Sequence, residues 1–164
     1  MSEERNPGGL RVPPTWRQAE PGRLIGKGHP AGDFLAAYNW IVLDDSPGLL
    51  RVRATLSERV KNPRGQLFGG FTPTYVDLVA LLTVRAGERR GAGGFRAWLA
   101  TTNMRIDYFE PIVNPEFLIE SRLLKSRGRT RMVETRFFDP EDTLAVFALT
   151  TMREVPLDRP LGDV

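Results

Sequence analysis

The stretch that decides the fold runs from Leu67 to Val84 and reads LFGGFTPTYVDLVALLTV. Apolar side chains occupy nearly every side of this segment, and its single charged residue is Asp77. Pro73 fits the first turn of a helix, where no backbone donor is needed. An amphipathic surface helix would keep one polar face, so the pattern predicts a long central helix enclosed by other structure. We expect the glycine-rich loop 87–94 to end it.

Extended segments flank the predicted helix on both sides. A first hairpin is predicted from Trp40–Leu43 and from the strand that begins at Leu50, with a turn over 44–48. The later connections are too short for parallel crossovers, so we expect antiparallel pairing. Together these elements predict an α+β fold in which a curved antiparallel sheet wraps one long central helix. The four later extended segments are 98–108, 117–125, 131–138 and 143–152. The last is almost continuously apolar and is expected in the middle of the sheet or under the helix.

The chain divides into three predicted regions. Residues 1–32 are rich in glycine and proline and predict a flexible or loosely draped N-terminal arm; 33–154 form the domain, and 155–164 form a C-terminal tail. Asp33 is expected to cap a short helix at the start of the domain. His29 falls in the arm, and because loose segments position groups poorly we do not expect it to be catalytic.

Composition excludes several kinds of chemistry. The chain of 164 residues has no cysteine and one histidine, which excludes disulfides, a thiol nucleophile, sulfur-ligated zinc and any two-histidine metal site. We therefore expect no metal. We find neither a membrane-spanning window nor the apolar core of a signal peptide, and so expect a cytoplasmic protein without a membrane partner.

The basic residues are almost all arginine. Only three of the 23 are lysines, and guanidinium groups pair well with phosphate, which favours an acidic ligand such as a nucleotide-bearing cofactor. Compositional bias is the alternative. A nucleic-acid partner is not expected, because the arginines are scattered and are matched by 20 acidic residues.

Asp77 and the glycine pair before it are the candidate chemical groups. Burying a carboxylate with a helix costs roughly several kcal/mol unless hydrogen bonds or an ion pair compensate for the lost hydration. It could serve a function, or simply be bonded to backbone amides or to an arginine such as Arg105. The amides at Gly69 and Gly70 could stabilise an oxyanion at the helix entry and let a ligand approach, or the pair could mark a tight turn.

The spacing of these residues is more specific than any one of them. Asn62 is followed by Gly65, the pair Gly69-Gly70 and then Asp77 in the apolar helix; downstream lie the strand ATTNMRIDYFEP (100–111) and a turn at 128. This pattern resembles the PaaI-like acyl-CoA thioesterases of the hotdog fold, over about residues 33 to 154. The family pattern reads asparagine, histidine-glycine-glycine, aspartate on the hotdog helix, then serine or threonine on the next strand.

The resemblance implies roles for individual residues. Asp77 would be the general base or nucleophile acting on the thioester through water, and Thr101 would hold that water. Asn62 and the amide of Gly69 would polarise the thioester carbonyl from the neighbouring subunit, so a homodimer, or a dimer of such dimers, is implied. The alternation along 98–108 agrees, because it places Thr101 off the apolar side of its strand, where it could face a partner.

Two features qualify the resemblance. Phe68 stands where the family usually has histidine, which removes a hydrogen-bond donor; it could widen an apolar acyl pocket or merely fill space at the helix entry. In similar proteins the region of Arg127 and Arg129 lies near the nucleotide end of coenzyme A, whose phosphates suit arginine. A solvated hairpin is the alternative.

The leading hypothesis is an acyl-CoA thioesterase that hydrolyses the thioester to free acid and coenzyme A. No cofactor is expected beyond the coenzyme A of the substrate. A hotdog module that binds acyl-CoA or a lipid without hydrolysing it is the main alternative, motivated by Phe68. A hydratase or dehydratase would call for a catalytic histidine, and an oligomerisation module is a further possibility.

Overall fold

The computed structural model describes residues 17–86 and 97–156. Two α-helices are present there: α1 (Pro30–Phe34) and α2 (Thr72–Arg85). Short 3-10 turns occupy Ala37–Asn39, Glu58–Val60 and Gly69–Phe71. The strands are β1 (Ile41–Ser46), β2 (Leu49–Thr55), β3 (Ala97–Tyr108), β4 (Glu116–Arg127), β5 (Thr130–Phe138) and β6 (Leu144–Pro156).

The six strands form one antiparallel sheet in the order β1-β2-β4-β5-β6-β3. The chain leaves β2, passes through α2, and enters β3 at the far edge of the sheet. Strand β6 lies between β5 and β3, as its continuous apolar sequence predicted. The predicted α+β architecture, one long helix wrapped by an antiparallel sheet, is confirmed.

The core lies between α2 and the sheet. Tyr75 of α2 is fully buried, and its ring stacks on Trp40 at 5.2 Å between centroids. Its hydroxyl donates to the Thr55 carbonyl at 3.0 Å, and burial raises the pKa of Tyr75 to about 12. The helix is thus anchored through an apolar ring that brings its one polar atom to a backbone acceptor.

Helix α2 begins later than its apolar run. Leu67 is extended, forms a β-bridge with Lys61 and donates its amide to the Ile112 carbonyl. The helix starts at Thr72, with Pro73 in its first turn as expected. It ends at Arg85, and the loop predicted over 87–94 lies outside the described residues.

A β-bulge in β3 corrects the predicted alternation. The pairing with β6 shifts between Thr101 and Asn103, so Thr102 is an extra residue and the side-chain parity reverses there. Thr101 pairs with Met152, which is buried in the cluster around Ala80 and Val84 of α2, and after the bulge Met104 packs against the main core. Thr101 therefore faces the helix, and the prediction that it lies off the apolar side of β3 is wrong.

Part of the predicted arm is packed against the sheet. Arg23 forms a β-bridge with Ile41, Leu24 is 3% exposed, and the Val42 amide donates to the Gly22 carbonyl. These contacts correct the expectation of a flexible arm for residues 17–32, because backbone pairing and a buried leucine hold the segment. Residues 1–16 lie outside the described residues.

The short helix and the last strand also differ from prediction. Helix α1 starts at Pro30 with His29 as its N-cap, so Asp33 lies inside the helix and does not cap it. Strand β1 continues to Ser46, which leaves Pro47 and Gly48 as a tight turn. Strand β6 runs to Pro156, two residues into the predicted tail. Within the residues that the structure describes, no helix is long and apolar enough to cross a membrane.

Candidate active site

Asp77 lies on the one face of α2 that the sheet leaves open. Its neighbours Val76 and Leu78 are buried, whereas Asp77 itself is exposed. The expectation of a buried carboxylate is therefore wrong for a single chain. The sheet covers the other sides of α2 but leaves the side that carries Asp77 open. An exposed carboxylate keeps its hydration, so its position here carries no large desolvation cost.

The hydroxyl of Thr101 donates to the Asp77 carboxylate. The two oxygen atoms are 2.5 Å apart, across 24 residues of sequence. Within the described part of the chain, Thr101 is the one partner of this carboxylate, since Arg105 pairs with Asp107 instead. The structure thus excludes the Arg105 ion pair. It brings together the two residues that the resemblance assigned to the attacking water.

We call the depression that Asp77 lines the Asp77 cleft. It has a volume of about 340 Å³ and lies between α1, α2 and β3. Its walls are mainly apolar, and the polar side chains on them are few. The lining residues are His29, Ala31, Pro73, Thr74, Asp77, Leu78, Leu81 and Met104. Apolar walls with a few converging polar groups are typical of small-molecule sites.

The entry to α2 presents unpaired amides. Among the described residues, the N–H groups of Gly69 and Gly70 have no hydrogen-bond acceptor, whereas the Phe68 amide donates to the Val60 carbonyl. The helix dipole adds partial positive charge at this end. The Phe68 ring is half-exposed, and it lies so close to Gly70 that a Cβ there would come within 2.7 Å of it. This arrangement can accept an anionic oxygen beside an apolar ring.

Tyr108 is a site residue to which the sequence reasoning gave no role. Its hydroxyl donates to the Gly69 carbonyl at 2.8 Å and so holds the glycine turn against the end of β3. Both residues line a second depression, the Gly69 cleft, of about 260 Å³. The signal was present in the sequence, because Tyr108 continues the parity of Met104 and Ile106 after the bulge.

Gly69 and Asp77 do not meet within one chain. They are eight residues apart along the helix and its entry turn, which places them about 12 Å apart along the axis. They also line different clefts. A single thioester therefore cannot contact both groups of the same chain at hydrogen-bond distance.

The side chain of Asn62 forms hydrogen bonds within its own loop. Its side-chain oxygen accepts from the amides of Arg64 (2.9 Å) and Gln66 (3.0 Å), and its Nδ2 donates to the Gln66 side chain at 3.2 Å. It lines neither cleft. The structure gives Asn62 a place in closing the loop before α2, and its expected polarising role stays a prediction.

Arg127 and Arg129 lie at the tip of the β4–β5 hairpin. Both are exposed, and neither forms an ion pair with any described residue. The hairpin leaves the sheet beside the C-terminal half of α2, where Leu123 packs near Val84. The two arginines are therefore at the opposite end of the helix from Gly69.

His29 is placed differently from the expectation. His29 lines the Asp77 cleft, and its Nδ1 accepts from the Gly32 amide at 3.1 Å. Burial lowers the pKa of His29, and the nearby Asp33 carboxylate opposes this effect. Across 17–86 and 97–156, no group of three or more histidine, aspartate and glutamate residues is arranged to hold a metal ion.

Comparison with known proteins agrees with this fold and this helix. The model of the thioesterase superfamily matches residues 64–146, which include the glycine pair, Asp77 and Thr101. The chain belongs to the thioesterase superfamily. The predicted resemblance to hotdog thioesterases is thereby confirmed at the level of the superfamily. No curated protein matches the chain in sequence.

Several solved structures share the fold of this chain, although their sequence identity to it is low. A thioesterase from Haemophilus influenzae matches with a TM-score of 0.68 and 10% identity, over 82% of this chain and 88% of its own. Zebrafish thioesterase superfamily member 2 matches with a TM-score of 0.64 and 22% identity, over 77% of this chain and 88% of its own. A hypothetical thioesterase from Streptococcus pneumoniae, solved with coenzyme A, matches with a TM-score of 0.62 and 17% identity, over 72% of this chain and 87% of its own.

Proposed function

We propose that the protein is a PaaI-like acyl-CoA thioesterase in which Asp77 activates water. The Asp77 carboxylate takes a proton from water while the hydroxide adds to the thioester carbonyl carbon. The resulting oxyanion is stabilised by an amide N–H, and the carbon–sulfur bond then breaks. The departing thiolate takes the proton from Asp77, so the products are the free acid and coenzyme A.

The Asp77–Thr101 pair is the observation that carries this proposal. A carboxylate and a hydroxyl in contact on the open face of an otherwise buried helix can hold a water molecule between them and a ligand. The cleft that Asp77 lines has apolar walls suited to an acyl group. Superfamily membership makes a thioester the substrate that fits this arrangement.

A second copy of the chain would supply the oxyanion donor. Because Gly69 and Asp77 are about 12 Å apart in one chain, the amide of Gly69 must come from another copy. Strand β3 is at an edge of the sheet, and Trp98, Tyr108 and Phe109 at its ends are about half-exposed. An edge strand with exposed aromatic side chains favours association through this edge, in a dimer or a dimer of dimers. The predicted cytoplasmic location stays a prediction.

The remaining predicted residues would contact the rest of the substrate. Phe68 and Gly70 lie at the helix entry, where the half-exposed ring offers an apolar surface to the acyl group. Arg127 and Arg129 would bind the phosphates of coenzyme A, which fits the presence of coenzyme A in the related Streptococcus pneumoniae structure. Charge reversal of both arginines should raise KM, and the effect should shrink as salt is added.

A thiol-release assay tests the chemistry. Butanoyl-, octanoyl- and benzoyl-CoA are offered to the wild type, Asp77→Asn, Thr101→Val and Thr101→Ser. Loss of the base should lower kcat by a factor of about 10² to 10⁴ in Asp77→Asn, whose amide keeps the shape of the carboxylate. Thr101→Val should lower it by about tenfold, whereas Thr101→Ser keeps the hydroxyl and most of the activity. Equal rates in the wild type and Asp77→Asn would reject the mechanism.

The same assay separates the proposal from a non-catalytic binding module. Phe68 favours that alternative, because it leaves the helix entry without the family histidine. Binding of coenzyme A by calorimetry with no turnover of any ester would support the module. Turnover that depends on Asp77 would exclude it.

A further inference from the structure

The Tyr108 hydroxyl is one of two donors to the Gly69 carbonyl. The two oxygen atoms are 2.8 Å apart across 39 residues of sequence, and the second donor is the Thr72 amide, which closes the 3-10 turn. One residue earlier, the Phe68 carbonyl accepts from the Phe71 amide at 2.9 Å. Both peptide groups that flank Gly69 are therefore held at their carbonyl oxygens. The Tyr108 bond is the one that reaches the turn from a distant part of the chain.

The glycine turn needs a restraint from outside itself. Glycine has no Cβ, so Gly69 and Gly70 have the widest choice of backbone conformation of any residues. The N-cap residue of the turn is Phe68, whose side chain caps none of its amides. A bond that fixes the Gly69 carbonyl limits rotation about the torsions of Gly69. It therefore also limits the directions in which the Gly69 amide can point.

Tyr108 is itself held by the sheet. It is the last residue of β3 and pairs with Val146 of β6, and the next amide, that of Phe109, donates to the Ala145 carbonyl at 2.9 Å. The Tyr108 ring lies against the glycine turn, since a Cβ at Gly69 would be 3.6 Å from it. The hydroxyl thus comes from a rigid element, which is what precise positioning of a functional group requires.

The Gly69 amide is left open to a ligand while its carbonyl is bound. Gly69 is exposed, and within the described residues its N–H group has no acceptor. The Tyr108 hydroxyl has one proton, which it already donates to the Gly69 carbonyl, so it has none to offer an oxyanion. Stabilisation of an oxyanion depends on where the donor points. Tyr108 can therefore serve the reaction by orienting the amide.

We propose that Tyr108 is a positioning residue, whose hydroxyl holds the Gly69 turn so that the Gly69 amide points at the thioester carbonyl oxygen bound by another copy. This inference rests on the proposed thioesterase function. Tyr108 forms no bond to the substrate and transfers no proton. The proton of the attacking water still passes to Asp77 and from there to the thiolate.

Tyr108→Phe tests the role of this one hydroxyl, because it keeps the ring against Gly69. We expect kcat to fall about tenfold with KM changed by less than about twofold, and the melting temperature to fall by no more than about 2–4 °C. Rates are compared at concentrations where each variant is fully dimeric by analytical ultracentrifugation. Wild-type kcat in Tyr108→Phe would overturn the proposal.

Tyr38→Phe is the matched control. Tyr38 lies just before β1, at the opposite edge of the sheet from β3, and its ring contacts Lys27. The substitution removes a tyrosine hydroxyl at a distance from the glycine turn. We expect it to keep the wild-type kcat. An equal loss of kcat in both tyrosine variants would overturn the specific role of Tyr108.

A double variant shows whether Tyr108 acts through the Gly69 amide. Gly69→Pro removes the N–H group but keeps the carbonyl that Tyr108 binds. If the hydroxyl serves only to orient that amide, adding Tyr108→Phe to Gly69→Pro should change kcat by less than about twofold, since the group to be oriented is already gone. If the two losses multiply instead, Tyr108 acts on something else and the proposal is wrong.

A binding experiment tests the orientation without relying on turnover. Phe68-Gly69 is the one phenylalanine–glycine step in the chain, so carbonyl-¹³C phenylalanine with ¹⁵N glycine isolates the Gly69 amide signal in an NMR spectrum. The probe is an octanoyl-CoA analogue, a ketone with methylene in place of sulfur. We expect it to move this signal downfield saturably in the wild type, and by less than about half as much in saturated Tyr108→Phe. Equal movement in both proteins, or none in the wild type, would overturn the proposal.

These experiments separate the two proposals. If no ester is hydrolysed but the amide responds to the ketone and needs the Tyr108 hydroxyl to do so, the thioesterase proposal is wrong and the positioning role stands. If esters are hydrolysed through Asp77 and Tyr108→Phe keeps the wild-type kcat, the thioesterase proposal stands and the positioning role is wrong.

Discussion

Replacing Gly69 by proline should remove a catalytic donor from an otherwise intact protein. The Gly69 amide has no acceptor within the described part of the chain, so its loss breaks no internal hydrogen bond. Phe68 already has the extended conformation (φ −68°, ψ 124°) that a following proline requires. The nearest heavy atoms to a Cβ at position 69 belong to Tyr108, at 3.6 Å or more, which is an ordinary contact.

These features set the expected magnitudes. The free energy of unfolding should stay the same or rise by about 0.4–1 kcal/mol, because proline restricts the unfolded chain at a compatible site. If the amide stabilises the oxyanion, its removal should raise the barrier by about 2.7–4 kcal/mol, a loss of roughly 10² to 10³ in kcat. Stability and activity should therefore change in opposite directions, or activity alone should change.

Gly69→Ala is the matched control. It adds the same Cβ against Tyr108 but keeps the N–H group. Both variants are compared with the wild type by thermal denaturation and by thiol release from octanoyl-CoA, with kcat and KM measured separately. The reasoning is refuted if the proline and alanine variants melt together and their kcat values differ by less than about threefold, since a missing oxyanion donor would cost far more.

Three further predictions concern the same site. Random mixing of Asp77→Asn with Gly69→Pro chains should restore about a quarter of the wild-type rate, because half the dimers are mixed and each keeps one intact site; a site within one chain would give none. Asn62→Ala should lose about 1–3 kcal/mol of unfolding free energy measured in urea, while Asn62→Asp keeps both amide bonds and tests the carboxamide donor through kcat alone. Since the pKa of His29 is lowered on folding, the unfolded chain binds protons more readily: stability should be fully present above about pH 6.5 and fall as the pH drops below it. The wild type should show this fall in a melting series against pH, and His29→Asn should lack it.

The long helix and the sheet were predictable because their signals are local and strong. An apolar run with one charge and a proline at its start has few solutions other than a buried helix. Short connections between the later strands leave antiparallel pairing as the choice. The helix start was misplaced because apolar character alone does not distinguish extended Leu67, which is buried in a β-bridge, from a helical residue.

The side of β3 that carries Thr101 was not predictable from alternation. One extra residue, Thr102, reverses the parity, and neither its side chain nor its neighbours mark a bulge in the sequence. A strict period of two therefore put Thr101 on the wrong face. The consequence is favourable to the proposed chemistry, because the bulge turns Thr101 toward the helix and into contact with Asp77.

The packing of residues 17–32 was missed for a different reason. Glycine and proline mark a lack of regular secondary structure, and they say nothing about contacts made by a single buried leucine or by one β-bridge. The amides of Gly28 and Gly32 donate to the side chains of Asp33 and His29, respectively. A histidine followed by Pro30 is a weak cap signal, since asparagine, aspartate and serine are preferred at that position.

In the proposed mechanism, the separation of Gly69 from Asp77 makes activity a property of the assembled protein. The 3-10 turn Gly69–Phe71 and the first residues of α2 separate Gly69 from Asp77 by about 12 Å along the axis. In the proposed dimer, a second copy brings its helix entry to the Asp77 cleft and associates through the open edge at β3. It follows that activity per chain should fall on dilution along the same curve as the dimer fraction, measured by analytical ultracentrifugation. Constant activity per chain across dissociation would mean that one chain completes the site, and the oxyanion donor would have to be sought within the Asp77 cleft itself.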